Sequence, residues 1–223
     1  MVEILNTTDK FPLQKIGKMA GVCWGSKTDD VEKNIKRAKE CIKSGHGRVL
    51  EFVDVEWVLS GISCRLGREW YTHIGGSPTR LQESTRYINF SNFNYIMPES
   101  IKKNSKLNII YTDLMNKIKN TYEEFKKEGV PVEDCGMMLP LATTTKIVDK
   151  RNLRNLIEMF HQRLCSRAYW EYRNLMYELK EKLSALSDEW KWIADNYFVP
   201  KCEVLGYCPE IKSCGRVDKK DIS

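Results

Sequence analysis

"NLRNLIEMFHQRLCSRAYWEYR", Asn152 to Arg173, carries the strongest pattern in the chain. Leu153, Leu156, Ile157, Phe160, Leu164 and Ala168 recur every three or four residues, the stripe of an amphipathic helix that starts near Asn152. If that helix runs on, Arg163, Arg167 and Glu171 stand four residues apart on one face beside the stripe, with Trp170 and Arg173 flanking them. Such a row reads either as a solvated ladder of ion pairs or, given its aromatic neighbours, as an anion site. Spacing alone leaves both open.

Working outward, helical and strand patterns interleave. "VDVEWVLS" sets Val53, Val55, Trp57 and Leu59 against Asp54, Glu56, Val58 and Ser60, which predicts a half-buried strand. "LATTTKIV" is also strand-like, and "STRYINF" returns to period two. Val31, Ile35, Ala38 and Ile42 mark a helix, with Asp29 and Glu32 as a capping-box-like start and Gly45 and Gly47 at its end. Tyr111, Leu114, Ile118, Tyr122 and Phe125 mark a long charged helix within residues 101–128 that Gly129 and Pro131 stop. "SCRLGREWYTH" reads as a short helix leading into "HIGGSPTRLQESTRY", His73 to Tyr87. In that stretch Gly75 and Gly76 let backbone N–H groups approach a ligand, Pro78 stiffens the turn, and Arg80 and Arg86 suit phosphate. It lacks the Lys-Ser/Thr ending of a P-loop and the spacing of a dinucleotide fingerprint, so by residues alone a plain surface hairpin is the first reading and a ligand loop the second.

The composition bounds the class. With 223 residues, 42% hydrophobic and 30% charged, the chain reads as a globular protein large enough to fold without covalent staples. No apolar run is long enough to span a membrane, and the N-terminal residues do not resemble a secretory signal, so a cytoplasmic location is expected. A net charge of +6 favours anionic partners without choosing among them.

The order of "GHGRVLEFVDVEWVLSGIS", a helix, a histidine, "QESTRY", "GVPVEDCGMMLPL" and the Asn152–Arg173 block resembles the flavin-dependent thymidylate synthases, the ThyX family. The likeness runs from about Val31 to Leu183. It implies an α+β fold, a mixed, largely antiparallel sheet with helices, in a catalytic domain over residues 1–199 followed by a Cys-containing tail over 200–223. It further implies a homotetramer with active sites at subunit junctions. The implied reaction moves a one-carbon unit from methylenetetrahydrofolate to C5 of dUMP, with FAD supplying hydride and NADPH recharging it.

Position by position, Arg163 matches the arginine that grips the pyrimidine and stabilises charge on the base, the one catalytic assignment. Ser84 and Arg86 match the nucleotide-binding serine and arginine of the motif, with Gln82 and Arg80 on the substrate side as well. Asn152 and Arg154 match the flavin-contacting Asn-x-Arg, and His73, Glu83 and Arg167 fall on the cofactor side. No metal site is implied, no membrane is expected, and a nucleic acid is not the expected partner.

The chain departs from the family's Arg-His-Arg followed by seven residues and Ser: Thr72, His73 and Ile74 are followed by nine residues before Ser84. Counted from Glu51, only the histidine survives. Counted back from Ser84, Ile74, Gly75 and Gly76 replace the triad. Phe52 stands where the family has a histidine, Glu69 where it has Gln, Gly136 where it has Arg, and Arg167 where it has His. Three readings accommodate these changes. In the first, Arg80 replaces the lost arginines. In the second, the same chemistry acts on UMP or dCMP or yields a hydroxymethylated base. In the third, a catalytically silent relative binds nucleotide or nucleic acid.

Of the remaining candidates, His46 lies in a Gly-His-Gly turn and His161 beside Phe160, and no two histidines have metal-ligand spacing. Cys202, Cys208 and Cys214 are separated by five residues each time, a regularity that admits zinc with a fourth cysteine from elsewhere, reduced thiols or a local clasp.

Overall fold

The computed structural model describes residues 1–219. Its elements run β1 (Val2–Ile4), α1 (Pro12–Cys23), α2 (Val31–Lys43), a 3-10 turn over Gly47–Phe52, β2 (Asp54–Ser63), α3 (Cys64–Trp70) and β3 (Thr79–Gln82). There follow α4 (Glu99–Lys102), α5 (Ser105–Lys127), α6 (Val132–Cys135), β4 (Thr144–Asn152), α7 (Leu153–Arg163), α8 (Trp170–Ser184), α9 (Asp188–Tyr197) and α10 (Lys201–Leu205). The four strands form one antiparallel sheet in the order β1-β2-β4-β3, so the architecture is the expected α+β one. By packing, the chain divides into two compact units, residues 1–58, 73–80 and 148–223, and residues 59–72 and 81–147.

In the first unit, β2 buries Val55 and Trp57 as its alternation predicts, and Leu153, Leu156, Met159 and Phe160 of α7 are buried with Tyr172, Leu175, Met176 and Leu179 of α8. Phe160 stacks on Phe198 with centroids 3.9 Å apart. The buried carboxylate of Glu189 accepts from the Leu13 and Gln14 amides at 2.7 and 3.1 Å, satisfying N–H groups at the positive end of α1. Helices α1 and α2 touch so closely that a Cβ on Gly17 would fall 1.8 Å from the Asn34 carbonyl oxygen. In the second unit Phe90, Phe93, Met115, Tyr122 and Cys135 form the core, with Tyr95, Tyr111 and Ile118 packed against it.

Four local expectations are corrected. The cap of α2 is Asp30, not Asp29: its carboxylate accepts from the Lys33 amide at 3.0 Å. The predicted long helix holds as α5 but begins at Ser105 rather than Ile101, because Asn104 caps its start by accepting from the Leu107 amide. "STRYINF" is a turn rather than a strand. The Ser84 carbonyl accepts from the amides of Tyr87 and Ile88, both of those side chains are exposed, and only Phe90, past the turn, enters the core. Finally, the helix from Asn152 stops at Arg163, and Arg163, Arg167 and Glu171 do not form one row. Residues 164–169 turn away because the Arg173 guanidinium takes the Ser166 and Ala168 carbonyls at 2.7 and 3.3 Å, replacing helical partners with side-chain ones.

Gly17→Ala should destabilise the protein by about 1–3 kcal/mol in urea denaturation, although alanine is the better helix former, because the α1–α2 contact must open. A neutral or stabilising result would show that the contact yields freely.

Candidate active site

Strand β4 runs directly into α7, and one residue makes the junction. Asn152 ends the strand and caps the helix, its side-chain oxygen accepting from the Asn155 amide at 2.9 Å. The Leu153 amide donates to the Val53 carbonyl at 2.8 Å, which fixes the helix start against the residue preceding β2. The Asn152 amide group also meets the loop of Gly75 and Gly76, donating to the Gly76 carbonyl at 3.5 Å. Gly76 has φ +71°, and a Cβ there would lie 2.3 Å from Asn152 Nδ2, so both conformation and space demand glycine. Gly75 faces Asn155 Nδ2, which a Cβ would meet at 3.1 Å.

This contact forms a small cavity of about 180 Å³ lined by Glu51, Gly75, Gly76, Asn152, Arg154 and Asn155, among others. Arg154 Nη1 lies 2.7 Å from Glu51 Oε1 in a half-exposed pair, which costs little to exchange for another anion. One guanidinium and two carboxamides stand beside the Glu51 and Glu158 carboxylates over a side-chain-free glycine floor, so a phosphate would enter only by displacing the carboxylates from Arg154.

At the other end of α7, Arg163 Nε donates to His73 Nε2 at 2.9 Å, and its guanidinium lies over the buried ring of Tyr172, 4.6 Å from the centroid. His73 is only 8% exposed and meets Tyr172 edge-on. Burial, followed by the charges of Arg163, Arg151 and Arg80, pushes its pKa down to about 4. The imidazole is therefore neutral at pH 7, protonated on Nδ1, and able to accept from the arginine. Arg80 Nη1 donates to the His73 carbonyl at 3.3 Å, so the cation of the lengthened loop turns toward His73. Of the two ways of counting the motif, the one that keeps His73 places a residue against Arg163.

Arg151, fully buried and not anticipated, lies nearby. It donates to Asp149 Oδ1 at 2.8 Å and to Asn155 Oδ1 at 2.7 Å, contacts Met159 Sδ, and lies over Trp57. Its signal was present in the sequence: Ile147, Asp149 and Arg151 share the inward face of β4, and opposite charges two residues apart on a buried face imply an ion pair.

The remaining expected site residues lie elsewhere. Arg167 follows the end of α7 and pairs with Glu210 at 3.5 Å. In the second unit Gln82 Nε2 donates to Thr145 Oγ1 at 3.3 Å and Glu83 pairs with Lys146 at 3.8 Å. Ser84 Oγ accepts from the Arg86 amide at 3.2 Å, and Arg86 Nε pairs with Glu133 at 2.9 Å in the open. A Cβ on Gly136 would lie 3.3 Å from Thr85, so the arginine the family has there would press on this turn. Within the first unit the structure thus groups Asn152 and Arg154 near Gly75–Gly76, and Arg163 with His73 and Arg80. Gln82, Glu83, Ser84 and Arg86 belong to the second unit. His46 is exposed, while His161 is half-buried, its pKa lowered by burial and its Nε2 without a hydrogen-bond partner among the described residues.

Residues 3–187 match the family described as thymidylate synthase complementing protein. A flavin-dependent thymidylate synthase of Pyrococcus furiosus is 33% identical over 223 aligned residues, covering 94% of this chain and 89% of the relative. One from Thermococcus onnurineus is 34% identical over 185 residues, covering 81% and 74%. Among solved structures, the flavin-dependent thymidylate synthase ThyX from Helicobacter pylori, complexed with FAD and dUMP, superimposes with a TM-score of 0.69 at 17% identity. That match covers 88% of this chain and 98% of the other.

Because folding lowers the His73 pKa from 6.5 to about 4, the unfolded chain binds the proton more readily, and stability falls as pH drops through that window. Replacing His73 with Gln, which keeps an acceptor but does not titrate, should remove about 3 kcal/mol of the stability lost between pH 6.5 and 4. Superimposable pH–stability curves for the two proteins would show that the imidazole is not held neutral by its surroundings.

Proposed function

The chain belongs to the flavin-dependent thymidylate synthase family, and from that membership we propose that it moves a one-carbon unit from methylenetetrahydrofolate to C5 of dUMP, giving dTMP. FAD, when bound, supplies the hydride that NADPH restores. The observation that carries the reading is the Arg163 guanidinium, fixed through Nε by a neutral histidine and backed by the Tyr172 face. Reduction of the uracil ring builds negative charge on its oxygens, and a planar cation already oriented lowers the cost of that charge. A lysine, with neither the fork nor the stacking face, would serve less well.

By their match to the family motif we assign Ser84, Arg86 and Gln82 to the nucleotide. The exposed pairing of Arg86 with Glu133 is exchangeable for a phosphate. Asn152 and Arg154, over the Gly75–Gly76 floor, suit the flavin's phosphates, with His73, Glu83 and Arg167 on the cofactor side. Arg80, turned toward His73, supplies positive charge in place of the missing motif arginines. Among the described residues no helix is long and apolar enough to cross a membrane, and we place the enzyme in the cytoplasm. Helix α5 leaves Leu107, Ile110, Leu114 and Phe125 at least 44% exposed along one side, an apolar face that supports assembly as a homotetramer.

Purified protein given FAD, NADPH, methylenetetrahydrofolate and dUMP, UMP or dCMP in parallel should convert dUMP to dTMP by mass. Turnover of another nucleotide but not dUMP would overturn the acceptor, and a colourless protein with no product would overturn the flavin chemistry. Arg163→Ala should reduce kcat/KM on the order of 100-fold or more with the assembly intact, and Arg163→Lys should restore only part of the loss. Near-normal turnover in Arg163→Ala would remove the residue from the mechanism. Light scattering should give about four times the 26.0 kDa protomer, and Ile110→Glu with Leu114→Glu should lower that mass. An unchanged mass would take this face out of the assembly.

A further inference from the structure

The family match ends at residue 187, before α9, α10 and the tail that follows them. Residues 201–219 contain no buried side chain, yet they hold a defined path. The Cys208 amide donates to the Asp218 carbonyl at 2.8 Å, and Gly215, at φ +83°, turns the chain back after Cys214. A segment with no apolar core of its own needs another tether.

Four of the eight cysteines, Cys165, Cys202, Cys208 and Cys214, line one cleft of about 470 Å³. Cys165 follows α7, Cys202 sits on α10, and the other two lie in the tail. The thiols of Cys165 and Cys208 are electrostatic neighbours of Cys202, and Cys214 hydrogen-bonds Ser166, the residue after Cys165. Cys165, distant in sequence, thus completes the evenly spaced trio of the tail. All four are free thiols. The cleft is also lined by Arg163, Arg167, Lys201 and Lys212, with Glu210 the one acidic residue. Zinc held by four thiolates is a net dianion, and these cations offset its charge.

We propose that Cys165, Cys202, Cys208 and Cys214 bind a zinc ion that pins the tail to the turn after α7. Among the described residues no three His, Cys, Asp or Glu side chains are gathered closely enough to hold an ion, so binding draws the thiols together. The unburied tail supplies the movement. One of the cleft's cations, Arg163, belongs to the proposed active site, so the ion would stiffen its border. The assignment does not depend on the nature of the reaction.

Full-length protein purified without chelator should contain about one zinc per chain by elemental mass spectrometry. Cobalt exchanged for it should give thiolate charge-transfer absorption. Cys208→Ser and Cys214→Ser lie in the exposed tail and leave both cores untouched; each should lose the zinc and the cobalt spectrum while circular dichroism stays unchanged. Cys23→Ser, far along the chain and outside the cleft, should keep both. His161→Gln should also retain zinc, whereas its loss there would overturn the all-thiolate set. A zinc-free wild type, metal retained by the tail variants, or disulfides among these four residues in non-reducing peptide mapping would overturn the site.

Discussion

The hydrogen bond from Arg163 to an uncharged His73 is the contact on which the proposed chemistry depends. It exists because burial, reinforced by three guanidinium groups, holds the imidazole neutral and leaves Nε2 as an acceptor. A histidine in water would be partly protonated near neutrality and would repel the arginine. Here the arginines that threaten the contact by charge also secure it, since each disfavours the imidazolium. The buried pairing of Arg151 with Asp149 places a guanidinium beneath the site without leaving an unpaired charge in the core.

A second constraint is the junction of β4 with α7. Asn152 serves as last strand residue, helix cap and neighbour of Gly76, so the orientation of the helix and the path of the glycine loop are set by one side chain. The two ends of α7 then divide the work. Its start presents Arg154 and two carboxamides beside the glycines, and its end presents Arg163 to His73. A helix of 11 residues is rigid enough to keep these two groups at a fixed separation.

The end of α7 is also where the tail is tied. The residues after Arg163 leave the helix because Arg173 satisfies their carbonyls, and that turn carries Cys165 toward the other cysteines. A longer helix would have aligned Arg163, Arg167 and Glu171 in a row and left the tail without a partner for its thiols. The broken helix thus couples the border of the proposed site to the zinc cleft.

Much of this was legible in the sequence. The alternation of Val55 and Trp57 pointed to a strand and the spacing of Leu153, Leu156 and Phe160 to a helix, because local periodicity needs no knowledge of distant neighbours, while the family was legible only as a resemblance in the order of motifs. The apolar stripe through Leu164 and Ala168 could not reveal that Arg173 would end the helix, nor could "STRYINF" reveal that Tyr87 and Ile88 would turn out to solvent while Phe90 alone enters the core. Tertiary structure alone decided that His73 meets Arg163 across 90 residues, and that Cys165 joins a trio that begins at Cys202. Such pairings depend on burial and on charges contributed by separate segments, which a linear pattern does not encode.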